Sequence, residues 1–481
     1  MADALRSETL PTDPAGLIAA GACAIAEATA SGRVRAVDVV EECLARIAAA
    51  NERLHAFIAV TGEAARAEAA MLDRLAELGQ RRGPLHGVPV AVKDIIDVSG
   101  TPTRAGSLTR DHLPPASADA VAVTRLRAAG AIVIGKTHTV EYAFGGWGTN
   151  PVAGTPVNPH DRRIHRVPGG SSSGTGVAVG AGLVPLGFGT DTGGSVRLPA
   201  SWCGTVGHKT SIGLVSRTGV IPLALTFDTV GPLARTVRDA AVMSQVTLGS
   251  DPADATTIAA HGLDLVGSLG AGVKGLTLGV LRLDAGIAVD AEVGAAFETA
   301  IGALGAAGAR LVPVSLPEEL STYTRDCGTL MMAEGARNHG HLLAETPCLL
   351  SAQAQARIGG GTSITAVAWL EGIDRRLRRI AAANALIAGR GIDALVLPTT
   401  PQPAIPVAEV DEDAAPGILT RFVNYLEWCG VSVPVAKTAG GLPIGLQVVA
   451  QRHQDALALR IAAAVEKASG GPLALPDLRV P

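Results

Sequence analysis

Three stretches of this chain hold residues that could do acyl-transfer chemistry together. Residues 168–174 read Pro-Gly-Gly-Ser-Ser-Ser-Gly, residues 191–195 read Asp-Thr-Gly-Gly-Ser, and Lys93 closes the apolar run that begins at Gly87. Serine is a weak nucleophile until a base takes its proton. Lysine can be that base only when neutral, and its ordinary pKa of about 10.4 leaves it charged at pH 7. Burial lowers that value, and Val88, Val90 and Val92 would carry Lys93 into an apolar interior. The second stretch offers consecutive N–H groups at Thr192, Gly193, Gly194 and Ser195. Small residues let a ligand approach them closely, so they could cradle the oxyanion of a tetrahedral intermediate. Each feature also has a plainer reading. A lysine at a strand end usually snorkels to the surface, two adjacent glycines make a tight turn, and Gly/Ser-rich segments form linkers. The linker reading conflicts with Val177-Ala178-Val179 and Leu183-Val184-Pro185-Leu186, which are apolar enough to be buried.

Other motifs carry competing chemistry. Gly130 to Thr137 matches the phosphate-loop spacing GxxxxGK[ST], but its middle residues, Ala131 to Ile134, are strand-like where the mechanism needs a curling loop. Gly170-Ser171-Ser172-Ser173-Gly174 matches GxSxG centred on Ser172, yet the preceding residues read as loop where a nucleophile elbow needs a strand. His339 and His341 form a pair without an acidic cluster, explained as well by packing as by a metal.

These groups need a frame. Apolar runs predict strands over residues 87–96, 131–134, 183–189, 275–282, 309–314, 393–397 and 443–450. Helical periodicity covers 37–50, 119–129, 291–307, 370–388 and 453–467. Strands alternating with helices indicate an α/β fold with a largely parallel sheet. Periodicity is poor over 317–370, the expected place for a substrate-covering insertion. No internal repeat or low-complexity linker breaks the chain.

Composition narrows the function classes. The 481 residues are 47% hydrophobic, enough for a large core. Net charge is −4 with no long basic run, and aromatics are 3%, so nothing points to nucleic acid or an anionic membrane. The six cysteines are scattered without a CxxC pair, which reads as reduced thiols in a cytoplasmic protein. Asp3, Glu8 and Asp13 give the N-terminus the wrong charge for a secretory signal, and no run is long and apolar enough to span a membrane.

At this point the chain resembles the amidase signature family of serine hydrolases. The matching segments include GVPVAVKDIIDVSGTPTRAGS, NPHDRRIHRVPGGSSSGTG, GTDTGGSVRLPASWCGTVGHKTSIGLVS and GLPIGLQVVA, and the likeness runs from about residue 15 to 468. The resemblance implies one amidase domain over residues 1–481, with a mixed central β-sheet covered by helices on both faces. It implies a Ser–cisSer–Lys triad: Ser195 as nucleophile, Ser171 as bridging serine in a cis peptide, Lys93 as base. It places the oxyanion hole at Thr192, Gly193, Gly194 and Ser195, with Ser172, Asp191 and Arg197 in support. Ala143 and Phe144 border the acyl pocket, with Tyr142 and Trp147 as nearby aromatic candidates. No metal or organic cofactor is implied, and a homodimer is the expected assembly. The chain departs from the family pattern at HKTSIGLVS, where relatives commonly carry LKPTYG, a matter of packing. The insertions and tRNA-handling features associated with the A subunit of a glutamine-dependent tRNA amidotransferase are not evident. The preferred expectation is therefore a stand-alone amidase that hydrolyses a small-molecule amide through a seryl acyl-enzyme, without nucleic-acid or membrane partners. The amidotransferase A subunit is the alternative.

Overall fold

The computed structural model describes residues 10–257 and 263–478. Eleven strands form one sheet: β1 Phe57–Val60, β2 Val88–Lys93, β3 Ala131–Thr137, β4 Leu186–Asp191, β5 Val206–Lys209, β6 Thr229–Ala234, β7 Thr277–Leu281, β8 Arg310–Val314, β9 Ala394–Pro398, β10 Cys429–Lys437 and β11 Pro443–Ala450. Their order across the sheet is β1-β3-β2-β4-β6-β5-β10-β11-β9-β7-β8. All seven strands read from apolar runs are present, and four more join them: β1, β5, β6 and β10.

Those four change the character of the sheet. The strand pairs β2/β3, β2/β4, β7/β8 and β7/β9 are parallel, and all join strands legible in the sequence. The six remaining pairings are antiparallel, and β1, β5, β6 or β10 takes part in five of them. The sheet is mixed, as the family resemblance implies, and the expectation of a largely parallel sheet is corrected. The added strands carry weak signals. Val206–Lys209 ends in His208 and Lys209, and Thr229–Ala234 contains Pro232, yet both are buried along their length. Burial on both faces erases the polar/apolar alternation that marks a half-exposed strand.

Three elements position the chemistry. Strands β2 and β4 run parallel with Val90 opposite Leu186 and Val92 opposite Phe188. Lys93 and Thr190–Asp191 therefore emerge at the same end of the sheet. The helix Ser173–Gly180 starts directly after the first serine cluster, and all of its residues are buried. It lies so close to its neighbours that a Cβ on Gly174 would stand 2.3 Å from the Ala56 carbonyl oxygen. The helix Arg197–Cys203 starts just after Ser195 and is likewise buried throughout.

Residues 320–370, which lack clear periodicity, form the helices Leu320–His339 and Ala352–Thr362 and the start of Ala366–Gly389. Among the described residues, no helix is long and apolar enough to cross a membrane.

Candidate active site

Lys93 is fully buried at the end of β2. Its Nζ lies 2.7 Å from Ser171 Oγ and 2.8 Å from Thr190 Oγ1. Burial pushes its pKa down to about 7, while Asp228 and Asp191 pull the other way. A neutral amine there can accept a proton from Ser171 while donating to Thr190. The Gly170–Ser171 peptide is cis. The backbones on either side are tied in place, with Val140 N–H donating to the Ser171 carbonyl at 3.2 Å and Ser172 N–H to the Ser195 carbonyl at 3.3 Å.

Ser195 lies on the wall of a cleft of about 490 Å³, with Thr192 and Gly193 beside it. The N–H groups of Thr192, Gly193 and Ser195 donate to no described residue. Gly194 departs from the expected hole, because its N–H donates to Asp191 Oδ1 at 2.8 Å. The loop folds back over the carboxylate that precedes it, so this donor faces inward and is taken. Gly194 has φ +128°, and a Cβ there would stand 2.3 Å from Thr420 Oγ1. That backbone conformation favours glycine.

Asp191 organises the loop from beneath. Besides Gly194, its carboxylate accepts from Val196 N–H at 3.2 Å, from Arg197 Nε and Nη2 at 3.0 Å each, and from Asn424 Nδ2 at 2.9 Å. Burial alone would raise its pKa, but Arg197, Lys209 and Asn424 hold it well below the usual carboxylate range. Asp228 is the second buried acid at the site, taking Thr192 Oγ1 at 2.6 Å and the N–H groups of Leu223 and Ala224 at 2.9 and 3.0 Å. Burial pushes its pKa up to about 6 against those hydrogen bonds.

The remaining sequence candidates separate. Ser172 is fully buried, its Oγ 3.2 Å from the Thr190 carbonyl and 3.3 Å from the Thr190 nitrogen, so it supports β4 and does not face the cleft. Ala143, Phe144 and Trp147 line the cleft. Tyr142 is absent from that lining: its hydroxyl lies 2.6 Å from Thr109 Oγ1 and its ring sits 4.2 Å from that of His339. Tyr142 and Ala143 both have positive φ, 49° and 60°, and this twist turns neighbouring side chains to opposite sides. His339 is spent on packing and on the Pro222 carbonyl at 2.7 Å. Gly130–Thr137 is largely strand β3, and Lys136 pairs with Asp94 at 2.8 Å with both side chains fully buried, so no phosphate loop forms.

Several site residues escape sequence reasoning. Thr190 and Asp228 contact the catalytic candidates directly. Met331 and Arg357 reach the cleft from the 317–370 stretch expected to cover the substrate, although no motif singles them out, and Glu412 and Arg421 reach it from a segment that carries no motif. Arg357 ties the wall together, donating to the Phe144 carbonyl at 2.6 Å and to Glu412 Oε2 at 2.7 Å.

With this geometry in view, the family model for Amidase matches residues 38–459. The chain belongs to the amidase signature family. Its fold matches that of solved members, and its class is that of amide C–N hydrolases. Eight curated relatives, 35–39% identical over 90–96% of this chain, are named as the A subunit of glutamyl-tRNA(Gln) amidotransferase. The one from Acidobacterium capsulatum is 37% identical, covering 91% of this chain and 97% of the relative. Among solved structures, a chain from a vestigial complex that reveals the evolutionary origins of an s-triazine catabolic enzyme superposes with TM-score 0.88 at 34% identity. That match covers 94% of this chain and 99% of the other. The glutamyl-tRNA(Gln) amidotransferase A subunit of Thermotoga maritima gives TM-score 0.81 at 28% identity, covering 98% and 100%.

These relatives correct two expectations. The preferred reading of a stand-alone amidase for a small-molecule amide is overturned by the curated A-subunit relatives, which match over nearly their whole length. The expectation of a small-molecule substrate with no nucleic-acid partner falls with it. Both rested on what the chain lacks. A missing basic run describes the field of this one chain and not the work of an assembly that contains it. Coverage of 97% of an A-subunit relative also leaves little room for missing insertions.

Proposed function

We propose that the chain is the A subunit of a glutamine-dependent tRNA amidotransferase, in which it cleaves the side-chain amide of glutamine to supply ammonia. The full-length likeness to named A subunits supports the assembly. The observation that carries the chemistry is the buried 2.7 Å contact between Lys93 Nζ and Ser171 Oγ, next to a cleft that holds Ser195.

In this reading neutral Lys93 takes the Ser171 proton as Ser171 takes that of Ser195. Ser195 Oγ attacks the amide carbon, and the N–H groups of Thr192, Gly193 and Ser195 receive the oxyanion. The C–N bond breaks as Ser171 protonates the nitrogen, ammonia leaves, and the lysine returns its proton to Ser171. Water, deprotonated through the same relay, cleaves the acyl-enzyme ester to give glutamate and regenerate Ser195.

The test is purification of the tagged chain from its own cells, followed by assay of glutamate release from glutamine and of Glu-tRNA(Gln) amidation. The expected result is co-purifying subunits, both activities in the assembly, and loss of at least about 1000-fold in glutamate release on Ser195→Ala with folding retained. A chain that purifies alone and turns over simple amides but not glutamine overturns the proposal.

A further inference from the structure

The antiparallel register of β4 against β6 pairs Asp191 with Thr229. One step beyond that pair, past the end of β4 and before the start of β6, Thr192 and Asp228 meet. The Thr192 hydroxyl donates to Asp228 Oδ1 at 2.6 Å, and among the described residues it makes no other hydrogen bond. Hydrogen bonds to a carboxylate at that length are strong, and threonine is stiff at χ1, so holding its hydroxyl also holds its backbone. That backbone carries one of the N–H groups that donate to no described residue. Asp228 Oδ2 accepts from Leu223 and Ala224 N–H, at 2.9 and 3.0 Å. Leu223 lines the cleft together with Thr192 and Ser195, so one carboxylate joins the oxyanion loop to a second part of the cleft wall. Asp191 fastens the same loop further on, at Gly194 and Val196.

Asp228 also bears on the base. It lines one small cavity with Thr190 and Thr192, and Thr190 is bonded to Lys93. The charged groups that act on Lys93 are Asp228 and Asp191, and Arg217 acts on Asp228. Asp191 is committed to Arg197 at 3.0 Å and Arg217 to Asp254 at 3.2 Å. Asp228 has no ion-pair partner among the described residues, so its charge is the one left to meet a cation formed at Lys93.

We infer that Asp228 is a positioning residue for the reaction at Ser195: through the Thr192 hydroxyl it fixes the Thr192 N–H in the oxyanion hole, and its charge supports the ammonium that Lys93 becomes when the relay takes up a proton. The inference rests on the acyl-enzyme chemistry of the proposed function, but not on which amide is cleaved. Oxyanion donors work only when they are aimed in advance, and a small misplacement is costly.

The test is the rate at which a small alkyl fluorophosphonate labels Ser195, followed across pH by intact-protein mass spectrometry, on protein purified with the subunits that accompany it. Ser195 Oγ bonds to phosphorus, fluoride leaves, the Ser195 proton passes to the relay, and the phosphoryl oxygen takes the place of the amide oxyanion. Thr192→Val is expected to label at least tenfold more slowly on the alkaline plateau, and Thr192→Ser to stay within about threefold of wild type. Asp228→Asn removes a negative charge that favours charged Lys93, so its acid limb should move to lower pH by at least half a unit, a shift that loss of packing alone would not produce. In Thr192→Val, which keeps that charge, the limb should stay where it is. A thermal melt verifies folding, and if Asp228→Asn does not fold, the Thr192→Val and Thr192→Ser pair decides. Labelling of Thr192→Val within about twofold of wild type, or an unmoved limb in folded Asp228→Asn, overturns the inference. Labelling that depends on both residues in a protein that leaves glutamine intact rejects the amidotransferase reading alone. Glutamine turnover with labelling indifferent to both rejects the positioning role alone, and no Ser195 adduct in wild type overturns both.

Discussion

Lys93 must be both buried and neutral to act as a base, and the two demands have one cause. Removing water from around an ammonium group disfavours its charged form, and with no carboxylate in direct contact nothing fully restores it. The sign of the pH dependence follows. The active form is deprotonated, so with a pKa of about 7 activity should be level above that value and fall about tenfold per pH unit below it. A pH profile of kcat/KM for glutamine hydrolysis, taken where the protein stays folded, checks this. A flat profile between about pH 5 and 9 would remove Lys93 from the relay. Thr190 belongs to the same account, because its hydroxyl gives the neutral amine an acceptor and fixes the direction of its lone pair.

At the scale of elements, the loop between β4 and the helix Arg197–Cys203 is the part least tolerant of change. It turns over Asp191, spends the Gly194 N–H on that carboxylate, and leaves the N–H groups on either side unbonded. Gly194→Ala should place a methyl group against Thr420 and force a left-handed conformation on a residue that resists it. The expected outcome is a loss of at least about 100-fold in kcat, since the oxyanion donors move, with about 1–3 kcal/mol of destabilisation. Steady-state kinetics and a thermal melt on the same preparation check both. Full activity with an unchanged Tm would mean that the loop geometry is not what presents Ser195.

Across the whole molecule, the Asp191–Arg197 pair joins parts of the chain that lie far apart in sequence. Arg197 also donates to the Thr420 carbonyl at 3.0 Å, to Gln447 Oε1 on β11 at 3.2 Å and to Asn424 Oδ1 at 2.7 Å. Both charged side chains are fully buried. Arg197→Met therefore strands a carboxylate in the interior, and a loss of about 3–5 kcal/mol is expected by urea denaturation at neutral pH. The folded-state pKa of Asp191 is depressed, so its contribution is present above the unfolded value and fades as pH falls through the folded one. The gap between wild type and Arg197→Met should accordingly narrow in strong acid. Comparable stability at pH 7 would show that the donors left to Asp191, the Gly194 and Val196 N–H groups and Asn424, suffice to hold it without the arginine. The homodimer expected from the family is open to the same preparations, through sedimentation of the purified protein.

The sequence by itself determined what depends on local composition. Long apolar runs must be buried, so seven strands were legible, including the two that carry Lys93 and Asp191. Two Gly/Ser clusters and a lysine after alternating valines are chemically specific enough to nominate Ser171, Ser195 and Lys93 before any contact is known. Tertiary structure decided everything that depends on which groups meet. It added four short strands whose burial on both faces hides their periodicity, and these made the sheet mixed. It withdrew Gly194 from the oxyanion donors because Asp191 folds beneath it, and it turned Tyr142 toward Thr109 and His339. It also brought Arg421 to Gly193 across more than two hundred residues. A side chain's type is written in the sequence, but its partners are set by long-range packing, and the partners decide which lysine is neutral.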